Sequence, residues 1–357
     1  MNKKIKILYL ITGLNTGGAE VVVRNLSENL NKDYFNIIVI SIIPLGEIGK
    51  KVRENGIKVL SLNIKCKYNL FILWKLFKLI KKEAPDILHT HLFHADILGR
   101  IVGRLAGVPK IITTIHNINI GSNIREFLMR MTKNFSDYNV AVAKIVAQNA
   151  IDKKMAEKNK LTVIYNGVKV SNLQPTTYNL KPIKIVSVGS LTEQKGYKFL
   201  IEAAPLVISC LSSVKFIILG EGSERMSLEK QIKENNLEDK VVLKGNVCNV
   251  PDYLAEANIF VMPSLWEGFS VALLEAAAAS KVIIATDVGG NAEIIKNETN
   301  GFLIKPGNAD ALAEKIKYVL DLPEEKRKKI GENARRVVGE KFSIEKMVGE
   351  YKRLYKI

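Results

Sequence analysis

Two carboxylates stand eight positions apart in the segment EGFSVALLE, Glu267 and Glu275, with small and apolar residues between them. On one continuous helix they would lie ~12 Å apart along the axis. WEGF fits a loop better, one that enters the helix near Phe269 and leaves Glu267 above the helix mouth. The N–H groups of Gly268, Phe269 and Ser270 then face a ligand, and a helix mouth favours an anion. Ionised carboxylates only accept hydrogen bonds, and sugar hydroxyls donate to them well. Amides for a diphosphate and acids for hydroxyls describe a sugar-nucleotide site. Taken alone, the segment also fits a buried acid paired with a lysine.

Four more junctions run from an apolar stretch through a glycine turn into a helix pattern. ITGLNTGGAE brings Gly17 and Gly18 to a helix start, where backbone can approach a ligand closely. Its glycine spacing is not that of the dinucleotide fingerprint. VGSLTEQKG sets Lys195 at the next such start. It is no Walker A loop, because Gln194 precedes the lysine and Gly196 follows it. A cation there adds to the positive end of a helix and suits a phosphate. LGEGSER contributes Gly222, and VGGNAE at 288–293 is the last. Several such junctions at strand ends of one domain are hard to explain as packing alone.

All four histidines, His89, His91, His94 and His116, fall within residues 89–116. His89 and His91 share one face of a strand, which raises a zinc reading. Asp96 is the one acid nearby, and a strand emerging into a cleft explains HTH better, so no metal is expected. His91 is then a cleft residue on the acceptor side, and His116 a neutral imidazole that positions a hydroxyl or relays its proton.

These residues need a scaffold, and the pattern supplies one. Short apolar runs alternate with amphipathic ones from residue 5 to residue 165, and again from 183 onward. Such alternation predicts parallel sheets covered by helices on both faces. The polar stretch 167–182 reads as a linker. The expected plan is an α/β chain of two Rossmann-like domains facing each other across a cleft. The first spans 1–166 and the second 183–340, and the helix in 341–357 packs back toward the first. Ligands of such sheets sit at the carboxyl ends of the strands.

A chain of 357 residues suits two domains. Three scattered cysteines, Cys66, Cys210 and Cys248, fit a reducing compartment. The lysine-led start reads as a first strand rather than an export signal, and no apolar run reaches the ~18–20 residues of a membrane span. The expected location is cytoplasmic, at the inner face of a membrane. The net charge of +17 is uneven: residues 1–180 carry 27 basic and 12 acidic side chains, leaving 26 and 24 for the rest. A basic first half suits an anionic partner. The segment 67–82, with Phe71, Trp74 and Phe77 among lysines, has the composition of an interfacial helix, and equally of a helix packed on the sheet. Residues 117–135, with Arg125, Arg130 and Lys133, form a candidate acceptor wall. No nucleic-acid motif accompanies the charge.

The motifs together resemble one family. EGFSVALLE is similar to the E-x7-E motif of the retaining glycosyltransferases of family 4, also called group 1, which have the GT-B fold. TGGAE resembles that family's first glycine loop, YNGV at 165–168 its entry to the second domain, GSLTEQKG its donor motif, GEG the next loop, and VGGNAEII with NGFLIKPGN its closing segment. The resemblance covers nearly the whole chain. It implies that Lys195 binds diphosphate, with Gly222 on the donor side. Glu275 would bind the ribose and Glu267 the transferred sugar, with Gly268, Phe269 and Ser270 beside the phosphates. Gly17 and Gly18 would meet the donor from the first domain. His116 matches the active-site histidine and pairs with Glu267 as catalytic. The implied enzyme is a metal-independent, retaining hexosyltransferase with no cofactor beyond its nucleotide-sugar donor, acting on a polysaccharide or lipid-linked glycan. A nucleotide-sugar epimerase of the same fold and a non-catalytic sugar-nucleotide binder are the alternatives. One departure stands out: Ser190 replaces an arginine that grips the diphosphate in many members, which removes a bidentate cation.

Overall fold

The computed structural model describes residues 3–64, 71–170, 182–211 and 213–356. The chain divides into two compact units, Met1–Asn166 with Glu345–Ile357, and Gly167–Ile344.

The first unit holds β1 (Ile5–Ile11), α1 (Gly18–Asn29), β2 (Phe35–Ser41), α2 (Glu47–Glu54), β3 (Lys58–Ser61), α3 (Phe71–Glu83) and β4 (Ile87–His91). It continues with α4 (Phe93–Leu105), β5 (Lys110–Ile115), α5 (Asn123–Thr132), β6 (Tyr138–Ala141), α6 (Lys144–Asp152) and β7 (Leu161–Val163). IKILYLI forms β1 because a strand covered on both faces is apolar along nearly its whole length; Lys6 lies in its less buried start, and its last five residues are buried. The seven strands are all parallel, in the order β3-β2-β1-β4-β5-β6-β7. Strand order reverses between β1 and β4, where Ile11 pairs with His91. α3, α4 and α5 pack side by side, as right-handed crossovers require of helices on one face. Leu8, Leu10, Leu76, Leu88 and Ile111 lie in the core beneath them.

The second unit repeats the plan with β8 (Ile183–Val188), α7 (Tyr197–Ile208), β9 (Val214–Leu219), α8 (Arg225–Glu234), β10 (Val241–Gly245), α9 (Val250–Glu256) and β11 (Ile259–Met262). Then come α10 (Val271–Ala278), β12 (Val282–Thr286), α11 (Asn291–Ile294), β13 (Phe302–Ile304), α12 (Ala309–Asp321) and α13 (Glu324–Lys341). Its parallel sheet runs β10-β9-β8-β11-β12-β13, reversing between β8 and β11. α14 (Ile344–Lys356) closes the chain, and from Glu345 onward it belongs to the first unit. There Tyr351 and Tyr355 are fully buried.

Several expected boundaries shift. Gly167 and Val168 are not linker: Val168 donates to Phe342 O at 3.1 Å and accepts from Ile344 N at 3.0 Å, which ties them into the second unit. Residues 171–181 of the expected linker lie outside the described residues, as do Cys66 and the start of the 67–82 segment. The helix expected from 195 starts at Tyr197, because Gly196 takes φ +62 and ends a short 3-10 turn, Glu193–Lys195. The three-residue β13 was not anticipated.

Candidate functional site

In the second sheet the switch point lies between the carboxyl ends of β8 and β11, where open α/β sheets bind ligands. The loop after β8 carries Lys195, and the loop after β11 carries Glu267. Their side chains form an ion pair, with 16% of the lysine and 6% of the glutamate side chain exposed. The fully buried Ser264 donates to the same Glu267 oxygen at 2.8 Å. Leu265 N donates to Gln194 O at 2.7 Å, so the two loops are also joined through backbone.

Glycines make this junction possible. A Cβ on Gly196 would stand 2.2 Å from Pro263 O. A Cβ on Gly289, which has φ +53, would stand 2.0 Å from Glu267 O. Gly290 N also donates to Gly268 O at 2.8 Å, and Thr286 Oγ1 to Ser264 O at 2.6 Å. The VGGNAE loop thus clamps the Glu267 loop from behind. Gly222 presses on the neighbouring loop, where a Cβ would meet Leu191 O at 2.2 Å.

Glu267 lies in a loop, as its sequence context suggests, and α10 begins at Val271. Ser270 is the N-cap and accepts from Leu273 N at 3.3 Å. The Phe269 ring is buried against Phe342, ring centres 5.2 Å apart, which anchors the helix mouth. Glu275 is half-buried in the second turn of α10. Ser190 is exposed beside Thr192. Burial, and then the Glu267 charge, push the Tyr197 hydroxyl above the usual tyrosine range.

In the first unit the β1–β4 switch point gathers the histidines. His116 follows β5 and is half-buried. Its Nε2 lies 3.0 Å from His91 Nδ1. His91, expected to open toward an acceptor, is fully buried. The reason is its strand face: His89, two residues earlier, lies on the same side, ring centres 4.3 Å apart, and α14 covers that side with Tyr351 and Tyr355. His89 is committed at both nitrogens, Nδ1 to Tyr355 OH and Nε2 to Thr114 Oγ1, each at 2.7 Å. Burial holds His116 down at about 4 and His89 at about 3, and His91 well below the ordinary value. Arg125 does not stand free as a wall: its guanidinium lies 5.0 Å from the centre of the Phe93 ring and donates to Ile120 O at 3.0 Å.

Gly17 is the N-cap of α1, and Gly18 opens the helix at the β1 carboxyl end. A Cβ on Gly17 would fall 2.4 Å from Glu20 Oε2, so the carboxyl of Glu20 folds over the glycine loop. Burial pushes Glu20 up to about 7. Glu20, Ser264, Thr114 and the two α14 tyrosines went unread in the sequence. Only Glu20 left a signal, an acid three residues into a helix after a glycine cap.

The family model for group 1 glycosyl transferases matches residues 171–337. That for Glycosyltransferase Family 4 matches residues 16–172. An Escherichia coli UDP-Gal:alpha-D-GlcNAc-diphosphoundecaprenol alpha-1,3-galactosyltransferase is 30% identical, over 99% of this chain and 97% of its own. The Staphylococcus aureus capsular polysaccharide biosynthesis glycosyltransferase CapM is 24% identical over 99% and 97%. Among solved structures, Anabaena HepE in complex with UDP-glucose superposes with a TM-score of 0.84 at 20% identity, covering 99% of this chain and 100% of that one. The chain belongs to the family 4, or group 1, glycosyltransferases. It is a glycosyltransferase with the two Rossmann-like α/β units of the GT-B fold.

Proposed function

We propose that the enzyme transfers a hexose from a UDP-sugar to a lipid-diphosphate-linked or polysaccharide acceptor, with retention at the anomeric carbon and without a metal ion. The observation that carries this reading is the Lys195–Glu267 pair at the β8/β11 switch point. An incoming diphosphate competes for the ammonium, and the sugar's hydroxyls then become donors to the carboxylate Lys195 leaves. Negative charge grows on the departing diphosphate during transfer. Lys195 and the N–H groups at the mouth of α10 are fixed in place to stabilise it, which is where preorganised charge accelerates a reaction. Glu275 takes the ribose hydroxyls, and His116 approaches the sugar or acceptor. The E. coli relative, named for UDP-galactose and a diphosphoundecaprenol-linked acceptor, supports the choice of substrates. Relatives named as transferases favour this over the epimerase and binder readings.

The acceptor would be met at the inner membrane surface. α5 supports this, because its apolar stripe faces water: Ile124, Phe127, Leu128 and Met131 are 72%, 54%, 36% and 65% exposed. Their i, i+3, i+4, i+7 spacing makes one helix face, beside exposed Arg130. α3 adds exposed Phe71 and Trp74, with Lys78 Nζ 3.6 Å from the centre of the Trp74 ring. Among the described residues no helix is long and apolar enough to cross a membrane.

A thermal-shift panel of UDP, GDP, ADP, CMP and their sugar conjugates tests the donor. A ligand at ~100 times its Kd adds about 2.7 kcal/mol of stability. A shift with UDP alone supports the reading, and no shift with any nucleotide refutes it. Turnover in EDTA and the anomeric proton coupling of the product test the remaining two points.

A further inference from the structure

β4 and β5 end side by side, with His91 in register with Thr114, and His116 follows two positions later. His91 Nδ1 and His116 Nε2 are 3.0 Å apart. Burial lowers the proton affinity of both rings, and for His91 the neighbouring His89 and His116 lower it further. Both are therefore neutral near pH 7. Two neutral imidazoles at this distance share one proton: one N–H donates and the other ring's lone pair accepts. Which ring donates decides what His116 can offer a substrate.

The buried side of His91 makes the choice. Its Nε2 is buried and has no hydrogen-bond partner among the described residues. Were His91 the acceptor, its one proton would sit on Nε2, a buried N–H with no acceptor among the described residues. With His91 as donor through Nδ1, Nε2 is a bare lone pair instead. A bare lone pair forfeits solvation as a sealed N–H does, but orphaned buried N–H groups are rarer than under-satisfied acceptors, which makes the lone pair the lesser loss. The arrangement that avoids one is His91 Nδ1–H donating to His116 Nε2. His116 then has its Nε2 lone pair occupied and its single proton on Nδ1.

We propose that His91 is a positioning residue that fixes His116 in the Nδ1–H tautomer, so that His116 donates a hydrogen bond to a substrate oxygen and is not the base that takes the acceptor's proton. The role of His116 toward substrate rests on the glycosyltransferase site assigned above; the tautomer does not. On this account His89, tied at both nitrogens to Tyr355 and Thr114, serves as the wall that holds the His91 ring upright.

Long-range nitrogen–proton NMR of the free, full-length protein at neutral pH reads the tautomers directly. The chain has four histidines, so single substitutions assign them. The expected spectrum shows His116 with its lone pair on Nε2 and its proton on Nδ1, and His91 protonated on Nδ1. A His116 protonated on Nε2 overturns the proposal, whatever the enzyme does. Kinetics supply the second measurement. Asparagine at 116 places an amide N–H near the Nδ1 position, and glutamine places one near Nε2. His116→Asn is expected to keep kcat about tenfold above His116→Gln, the worth of one neutral hydrogen bond. His91→Asn, which preserves a donor at Nδ1, is expected to keep kcat about tenfold above His91→Leu, with the donor KM alike in the two. The reverse ranking at position 116 overturns the proposal. If no nucleotide sugar is turned over, the transferase reading fails, and the NMR result still decides the tautomer.

Discussion

Lys195 and Glu267 are 72 positions apart in the chain and form an ion pair across the switch point of the second sheet. In the function proposed above neither residue is spare: the lysine is the cation for a diphosphate, and the glutamate the acceptor for sugar hydroxyls. Holding them together before the donor arrives keeps two charges from standing alone in a half-dry site, where an unpaired charge is costly. In the proposed reaction the donor exchanges one set of partners for another.

That exchange has a measurable signature. Lys195→Met leaves Glu267 buried with Ser264 as its remaining side-chain partner, and we expect it to lower the unfolding free energy by about 3 kcal/mol. Adding Glu267→Leu removes the stranded charge, so the double variant should recover most of that loss. UDP binding should fall at least tenfold in both. Equal stability of the single and double variants in urea titrations would mean that the pair carries no coupling.

The clamp behind Glu267 is tested at Gly289. Alanine there must adopt φ +53 and also meets Glu267 O at 2.0 Å. The left-handed conformation alone costs about 1–2 kcal/mol, and the collision displaces Glu267. We expect Gly289→Ala to lower Tm and to weaken UDP binding together. Gly339 is the control: it lies exposed in α13 with open space around it, so Gly339→Ala should stabilise by about 0.5–1 kcal/mol and leave UDP binding alone.

What could be read from the sequence, and what could not, divides along local and non-local lines. IKILYLI announces β1 because every position but Lys6 is apolar, and EGFSVALLE announces a loop and a helix because glycine and an aromatic precede small residues. FLI is too short to announce β13, which exists because β12 offers it an edge. Lys195 and Glu267 were each legible as candidate ligand-binding groups. Their pairing was not, because it depends on β8 lying beside β11. His91 was read as opening outward because nothing near it in sequence says that Tyr351 and Tyr355, some 260 positions on, roof that strand face. The α5 stripe was not read from the sequence; that this face meets water follows from α4 packing against the helix.

Acid should unfold this protein through its histidines, with two carboxyls opposing. An unfolded histidine takes up a proton near 6.5, whereas folded His116 waits until about 4 and His89 until about 3. His91 is likewise held down. Between pH 6.5 and 4.5 the unfolded chain therefore binds three protons the folded one does not, and stability falls with pH. Glu20 and Asp96 act in the other direction: burial pushes both up to about 7, so the folded chain holds two extra protons over the same window. The net of one proton corresponds to about 1.4 kcal/mol lost per pH unit. Glu20→Gln removes one opposing proton and should roughly double that slope in urea titrations at pH 6.5, 5.5 and 4.5. An unchanged slope would show that Glu20 is ionised in the folded state.

The proposed membrane contact through α5 separates into an electrostatic and an apolar part. Each basic side chain near an anionic surface contributes about 1 kcal/mol, and that part fades within a Debye length as salt rises. In the proposed contact the Ile124, Phe127, Leu128 and Met131 face inserts by burying apolar surface, which salt does not screen. We expect the protein to co-sediment with phosphatidylglycerol vesicles at low salt and to be partly retained at high salt, and to bind phosphatidylcholine vesicles weakly. Phe127→Ser with Met131→Ser changes two exposed residues and should spare the fold while abolishing the high-salt fraction. Arg130→Glu with Lys133→Glu should abolish mainly the low-salt advantage of the anionic lipid. If the serine variant binds like the parent at every salt concentration, α5 is not the inserting surface; if the parent ignores phosphatidylglycerol altogether, the enzyme meets its acceptor away from the bilayer.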